Sequence, residues 1–213
     1  MKFLTVADCE YEYIVSKSRF LGFCRRVETA DVATEFLSQL RKKYRDATHV
    51  CYAFTASDSS RSSDDGEPSG TAGVPIMESI TSAGLNETLV AVVRYFGGIK
   101  LGTGGLSRAY SYTAMETLSQ SKKLEVADCE VYRVSFDYSI YKKIEKTQLK
   151  TVYKTVGMEY NSTVDITYAT LMTNDFIAEI TGITQGKFAY EILGSRRISR
   201  DIDISDNYGC KIR

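Results

Sequence analysis

The chain has 213 residues, enough for one large or two small domains that each bury a core. Hydrophobic residues make up 43% and charged residues 25%, the balance of a soluble globular protein, which excludes extended disorder and membrane insertion. Lys and Arg total 27 and so do Asp and Glu, so no global field draws the chain to nucleic acid and any such case rests on a local patch.

No targeting address is expected. The first residues meet an acid at Asp8, too early for a secretory signal, and no apolar run approaches the roughly 20 residues of a spanning helix. The cysteines (Cys9, Cys24, Cys51, Cys129 and Cys210) are odd in number and scattered, with no Cys-x-x-Cys pair. They read as reduced thiols of a cytoplasmic protein.

In chain order, residues 10–15 and 18–27 alternate and are rich in aromatics, the pattern of a two-stranded hairpin. Thr29 is the expected N-cap of a helix whose apolar stripe is Val32, Phe36, Leu37, Leu40 and Tyr44, with Asp31 favourably placed for the dipole. Residues 48–54 read as a third strand, which puts His49 and Cys51 on one face because side chains alternate. An imidazole and a thiol so placed suit a metal or a nucleophile pair. His49 is the sole histidine and no third ligand is near, so a buried Cys beside a hydrogen-bonded His is the preferred reading.

Residues 57–75 hold both prolines of the chain. The serine-rich first half is expected to be a mobile surface loop. In the second half Asp64, Asp65 and Glu67 lie close enough to share a cation, but the spacing is not that of a calcium loop; a charged turn that supplies caps and pairs with Arg94 or Arg108 is favoured. Pro75 suits the first turn of a helix carrying Ile76, Met77 and Ile80, which Gly84 stops.

Residues 89–93 form an apolar, β-branched run, as in a strand buried on both faces. Leu106, Ala109, Tyr110, Thr113, Ala114 and Leu118 recur at helical spacing. Between them lie Gly97, Gly98, Gly102, Gly104 and Gly105 with the cations Arg94, Lys100 and Arg108, so the local reading is strand, glycine loop, helix. Such a loop can aim several N–H groups at one anion near a helix N-terminus, or it can serve only to turn the chain and pack the helix close; spacing leaves both readings open. It is neither a Walker A loop nor a dinucleotide fingerprint.

A new pattern starts near Cys129, and the domains are set at 1–128 and 129–213. Residues 130–138 alternate as a strand, Leu149, Val152, Tyr153 and Val156 mark a helix, and a short strand is expected near 158–161. Residues 164–171 form another strand, Phe176, Ile177, Ile180 and Ile183 a second helix, and residues 188–193 a last strand. The order β-α-β-β-α-β fits a ferredoxin-like domain. Lys142, Lys146, Lys150 and Lys154 repeat every four residues, within about 120° of one helical face, a stripe able to follow a phosphate backbone or to be a solvated outer face.

Asp64-Asp65-Gly66-Glu67-Pro68-Ser69-Gly70-Thr71-Ala72-Gly73, followed by the stretch from Arg94 to Tyr110, resembles the paired signature of the IMPACT/YigZ family. Lys17-Ser18-Arg19-Phe20 and Ala47-Thr48-His49-Val50-Cys51-Tyr52-Ala53 resemble its two earlier motifs, in the same order. The resemblance spans most of residues 10–120. It implies an α+β protein of two domains: a ribosomal-protein-like sandwich similar to domain IV of elongation factor G, then a ferredoxin-like βαββαβ domain of the bacterial type. Eukaryotic members regulate translation, through a partner that belongs to eukaryotes.

The expected function is a non-enzymatic protein that binds RNA or ribosome-associated components. The alternative is an enzyme that binds a nucleotide or phosphorylated small molecule at the glycine loop, with Asp64, Asp65 or Glu67 holding a cation or acting as base. The expected binding residues are Arg94, Gly97, Gly98, Lys100, Gly102, Gly104, Gly105, Arg108, Asp64, Asp65, Glu67, Lys142, Lys146, Lys150 and Lys154. No catalytic residue, cofactor, metal or membrane partner is assigned.

Overall fold

The computed structural model of the chain describes residues 2–202, so Cys210 lies outside the described residues. The described chain is mixed α+β, with five helices and two sheets. It divides into two compact units, Phe3–Leu124 and Glu125–Arg200, with Lys2 grouped with the second. The elements of the N-terminal part are β1 (Lys2–Val6), β2 (Cys9–Val15), β3 (Ser18–Arg26), α1 (Ala30–Lys43), β4 (His49–Thr55), β5 (Ser60–Ser63), α2 (Gly73–Ser82), β6 (Thr88–Tyr95) and α3 (Gly102–Gln120). There follow β7 (Lys123–Phe136), α4 (Tyr138–Ile144), β8 (Val152–Tyr160), β9 (Val164–Thr170), α5 (Thr173–Thr184) and β10 (Ala189–Asp201).

The first sheet has the order β2-β3-β6-β4-β5, and every neighbouring pair is antiparallel. β6 sits in the middle, which is why its residues from Thr88 to Arg94 are all buried. On one face α1 packs Ala33, Leu37 and Leu40 against Phe23, Val50, Phe54, Ala91 and Val93. On the other, α2 and α3 pack Ile76, Ile80, Leu106, Tyr110 and Ala114 against Phe20, Cys51, Ala53, Val90 and Val92. Neighbouring positions of each strand thus serve opposite cores, as a period of two demands.

The caps follow the sequence at α1, where Thr29 accepts from the Val32 N–H at 3.5 Å. The reading of the 57–66 segment requires correction. Residues 60–63 are not a mobile loop but the edge strand β5, paired to β4 from Tyr52↔Ser63 to Thr55↔Ser60. Ladder bonds come from the backbone, so a polar edge strand carries no apolar signal. β1 is likewise unannounced by the sequence; its Thr5 hydroxyl donates to the Glu87 carbonyl at 3.0 Å.

The sheet of the second unit has the order β7-β9-β8, and β10 also pairs with β7. The helix expected over 149–156 is absent: residues 152–160 form β8, and the helix between the strands is α4 at Tyr138–Ile144. The run Val152-Tyr153-Lys154-Thr155-Val156-Gly157 matches the helical template by spacing, yet it is built of β-branched residues and glycine, which disfavour helix. α4 and α5 contribute Ile140, Ile144, Phe176 and Ile180 to a core with Tyr132, Phe136, Ile166 and Tyr168. No helix of the described residues is long and apolar enough to cross a membrane.

Candidate functional site

The sheet brings three of the four N-terminal motifs together, and Glu67 of the fourth reaches them through Arg94. Register places Arg94 of β6 opposite both Phe20 of β3 and His49 of β4, so one cross-section of the sheet carries a residue from each of three motifs. The turn between β2 and β3 puts Ser16 and Lys17 at positive φ (47° and 63°), the geometry of a tight hairpin. Gly97 lies directly on that turn: a Cβ there would meet the Lys17 carbonyl carbon at 2.0 Å. The Gly97 N–H donates to Ser18 Oγ at 3.2 Å.

The acids of the 64–67 segment are all committed inside the unit. Asp64 accepts from the N–H groups of Gly70, Ala72 and Gly73 at 2.8, 2.9 and 2.8 Å, so it caps α2 from a distance. Burial raises its pKa, but the three backbone donors outweigh that, and the group sits below the usual carboxylate range. Asp65 accepts from the Val50 N–H at 2.7 Å and from Arg41 at 3.2 Å. Glu67 is buried, and its Oε1 accepts from Arg94 at 2.5 Å and from the Tyr110 hydroxyl at 2.8 Å.

Around this pair the remaining polar groups close up. Cys51 donates to the Asp64 carbonyl at 3.0 Å and contacts the Tyr110 hydroxyl at 3.3 Å. Burial pushes its thiol up to about 12, the opposite of an activated nucleophile. Tyr110 is raised too, chiefly by burial and then by Cys51 and Glu67. His49 Nδ1 lies 2.7 Å from the Asp65 carbonyl, and its Nε2 is 3.9 Å from Glu67. The Arg94 guanidinium lies over the rings of Phe20 and Phe96, at 5.4 and 5.6 Å from their centroids, and its Nε has no hydrogen-bond partner among the described residues. His49 and Cys51 therefore act as packing and hydrogen-bonding groups here, and among the described residues no three His, Cys, Asp or Glu side chains cluster as a metal site.

The loop cations separate into two kinds. Arg94 is only 5% exposed and is held by Glu67. Lys100 and Arg108 are exposed, and neither makes an ion pair or side-chain hydrogen bond among the described residues. Arg108 leans back along α3, its Nη1 3.5 Å from where a Cβ on Gly104 would stand. The first turn of α3 holds no acid, and its N-cap, Leu101, supplies no side-chain bond. So positive charge collects at a helix end that is already positive.

The lysine stripe does not exist as a helix face. Lys142 lies on α4, Lys146 and Lys150 beyond its end, and Lys154 on β8, where its Nζ donates to the Ser199 carbonyl at 2.5 Å. Reading the spacing missed the part that Lys17 and Ser18 play under the glycine loop, and Tyr110's hydroxyl on Glu67. Both are contacts between residues far apart in sequence, for which only the ordered recurrence of the motifs gives a signal.

The fold and the site thus define a two-unit α+β protein whose signature segments converge on one buried carboxylate–guanidinium pair. The Impact N-terminal domain matches residues 16–118. The IMPACT family member YvyE of Bacillus subtilis is 37% identical over 191 residues, covering 87% of this chain and 88% of the relative. Escherichia coli YigZ, another IMPACT family member, is 31% identical over 179 residues, covering 81% and 88%. A crystal structure of a hypothetical protein superposes with a TM-score of 0.60 at 30% identity, over 89% of this chain and 96% of that one. The chain belongs to the IMPACT family.

Proposed function

We propose that the chain is a non-enzymatic cytoplasmic protein that binds RNA or ribosome-associated components and regulates translation. The observation that carries this is the uncompensated positive charge of Lys100 and Arg108 at the acid-free N-terminus of α3. An anionic partner satisfies those N–H groups and both cations at once. Lys17, exposed on the turn against Gly97, extends the same surface. Resemblance to the elongation-factor domain pair favours a ribosomal setting. The order β7-α4-β8-β9-α5-β10, with β9 and β10 both paired to β7, supports the ferredoxin-like reading of the second unit.

The enzyme reading needs a carboxylate free to hold a cation or take a proton. Asp64, Asp65 and Glu67 are each engaged by backbone N–H groups, arginine or tyrosine, which favours binding over catalysis. The test is the binding of purified, nucleic-acid-free protein to ribosomes and to structured RNA at low ionic strength. Wild type is expected to bind and Lys100→Glu/Arg108→Glu to lose at least about tenfold in affinity. Equal binding by the double variant sinks the loop as the interface.

A further inference from the structure

On the α1 side of the first sheet lies a second cationic surface, remote in sequence from the glycine loop. An open groove of about 350 Å³ runs between the C-terminal half of α1 and β4, lined by Ser38, Arg41, Lys42, Arg45 and Tyr52. That is the size range of small-ligand sites. Register extends the charge: Arg61 of β5 stands opposite Phe54, on the same face as Tyr52.

Cations in the last turn of a helix complement its dipole, and Arg45 does this directly, its Nε donating to the Lys42 carbonyl at 3.2 Å. Arg41 spends part of its charge on Asp65 at 3.2 Å. Dipole and ion pair leave the rest unexplained. The side chains of Ser38, Lys42 and Arg61 and the Tyr52 hydroxyl make no hydrogen bond or ion pair among the described residues. The Tyr52 ring is held nearly parallel to Phe54, at 12° and 6.3 Å between centroids, with the Arg41 guanidinium 5.9 Å from its centroid.

We infer that this groove binds a nucleotide unit, its base against the Tyr52 ring and its phosphate on Lys42, Arg41 and Arg61. An oriented aromatic ring beside idle cations and a hydroxyl is the combination that single-stranded nucleic acid engages, stacking giving affinity without sequence choice. The unit comes from an RNA strand or from a free mononucleotide; the strand rests on the RNA reading above, whereas the groove rests on its own residues.

The test uses the full chain, a fluorescent oligo(A) dodecamer followed by anisotropy, and AMP followed by amide chemical shifts. Lys42→Glu/Arg61→Glu is expected to weaken oligo(A) binding at least about tenfold. Tyr52→Leu, which keeps an apolar group over Phe54, is expected to weaken it about fivefold or more. Circular dichroism and the melting temperature check that both variants fold. Amide shifts around Tyr52 with AMP identify a free nucleotide as a sufficient source; oligo(A) binding that the groove variants weaken, without those shifts, identifies the strand, and either supports the site. The inference is overturned if both variants bind oligo(A) as wild type does, if neither probe binds the wild type, or if inorganic phosphate or polyglutamate competes fully while Tyr52→Leu is silent. Loss of oligo(A) binding in Lys100→Glu/Arg108→Glu alone, with the groove variants unaffected, overturns the groove and leaves the loop standing; the reverse pattern does the opposite.

Discussion

Glu67 is the residue on which the N-terminal motifs close, because its carboxylate is the counter-charge of a guanidinium that is itself only 5% exposed. Removing one member of a buried pair strands the other, at a cost of about 3–5 kcal/mol, whereas replacing both by apolar groups costs much less. Glu67→Ala is therefore expected to lose about 3–5 kcal/mol in urea denaturation, and Glu67→Leu/Arg94→Met to recover most of it. A single-variant loss below about 1 kcal/mol defeats this account of the pair, since that is the scale of an exposed ion pair. Asp64 works by charge as well. Burial opposes its ionisation, but three N–H donors hold its folded pKa below the ordinary carboxylate value, so the group adds stability above its unfolded pKa. That stability is lost as pH falls below about 4 through the lowered folded value. Asp64→Asn has one acceptor oxygen for three donors, so it is expected to be less stable at pH 7 and to show a shallower loss of stability below about pH 4 in pH-dependent melting.

At the scale of elements, the glycine loop divides into a part that packs and a part that is free. A Cβ at Gly97 would meet backbone of the β2–β3 turn at 2.0 and 2.1 Å, so Gly97→Ala forces two chain segments apart. A Cβ at Gly104, on the open side of α3, meets only the tip of Arg108 at 3.5 Å. Thermal unfolding is expected to show Gly97→Ala destabilised by about 1–3 kcal/mol or more, and Gly104→Ala unchanged or stabilised by up to about 1 kcal/mol. Similar losses for both would mean that the loop packs throughout. This contrast also explains what could be read from the chain. β6 and α3 were legible because burial writes directly onto periodicity, in an unbroken apolar run and in a stripe from Leu106 to Leu118. β5 was not, because an edge strand such as Ser60-Arg61-Ser62-Ser63 is held by backbone bonds that leave its side chains unconstrained. β8 was misread because the spacing of Val152, Tyr153 and Val156 satisfies a helical template, and propensity, not spacing, separated the two.

For the whole molecule, zero net charge means that any polyanion is met by a patch and not by a global field. Spacing alone supplied the cations of that patch but not their state. In the chain Arg94 and Arg108 are equally fit to pair with the acids of 64–67, and only the fold distinguishes a neutralised, buried Arg94 from an exposed Lys100 and Arg108. The same holds in the second unit, where four evenly spaced lysines fall on a helix, a connection and a strand. The consequence is measurable as counterion release. A loop surface of Lys17, Lys100 and Arg108 neutralises about three phosphates, which gives a slope of log K against log salt of about −2 to −3. Lys100→Glu/Arg108→Glu is expected to reduce that slope by about 2. Participation of the groove cations Arg41, Lys42 and Arg61, or of the second unit's lysines, would steepen the wild-type slope to about −4 or beyond, and the loop variant would then keep more than half of it. A wild-type slope near zero would rule out phosphate contact as the source of affinity and turn the search toward a protein partner for the same exposed cations.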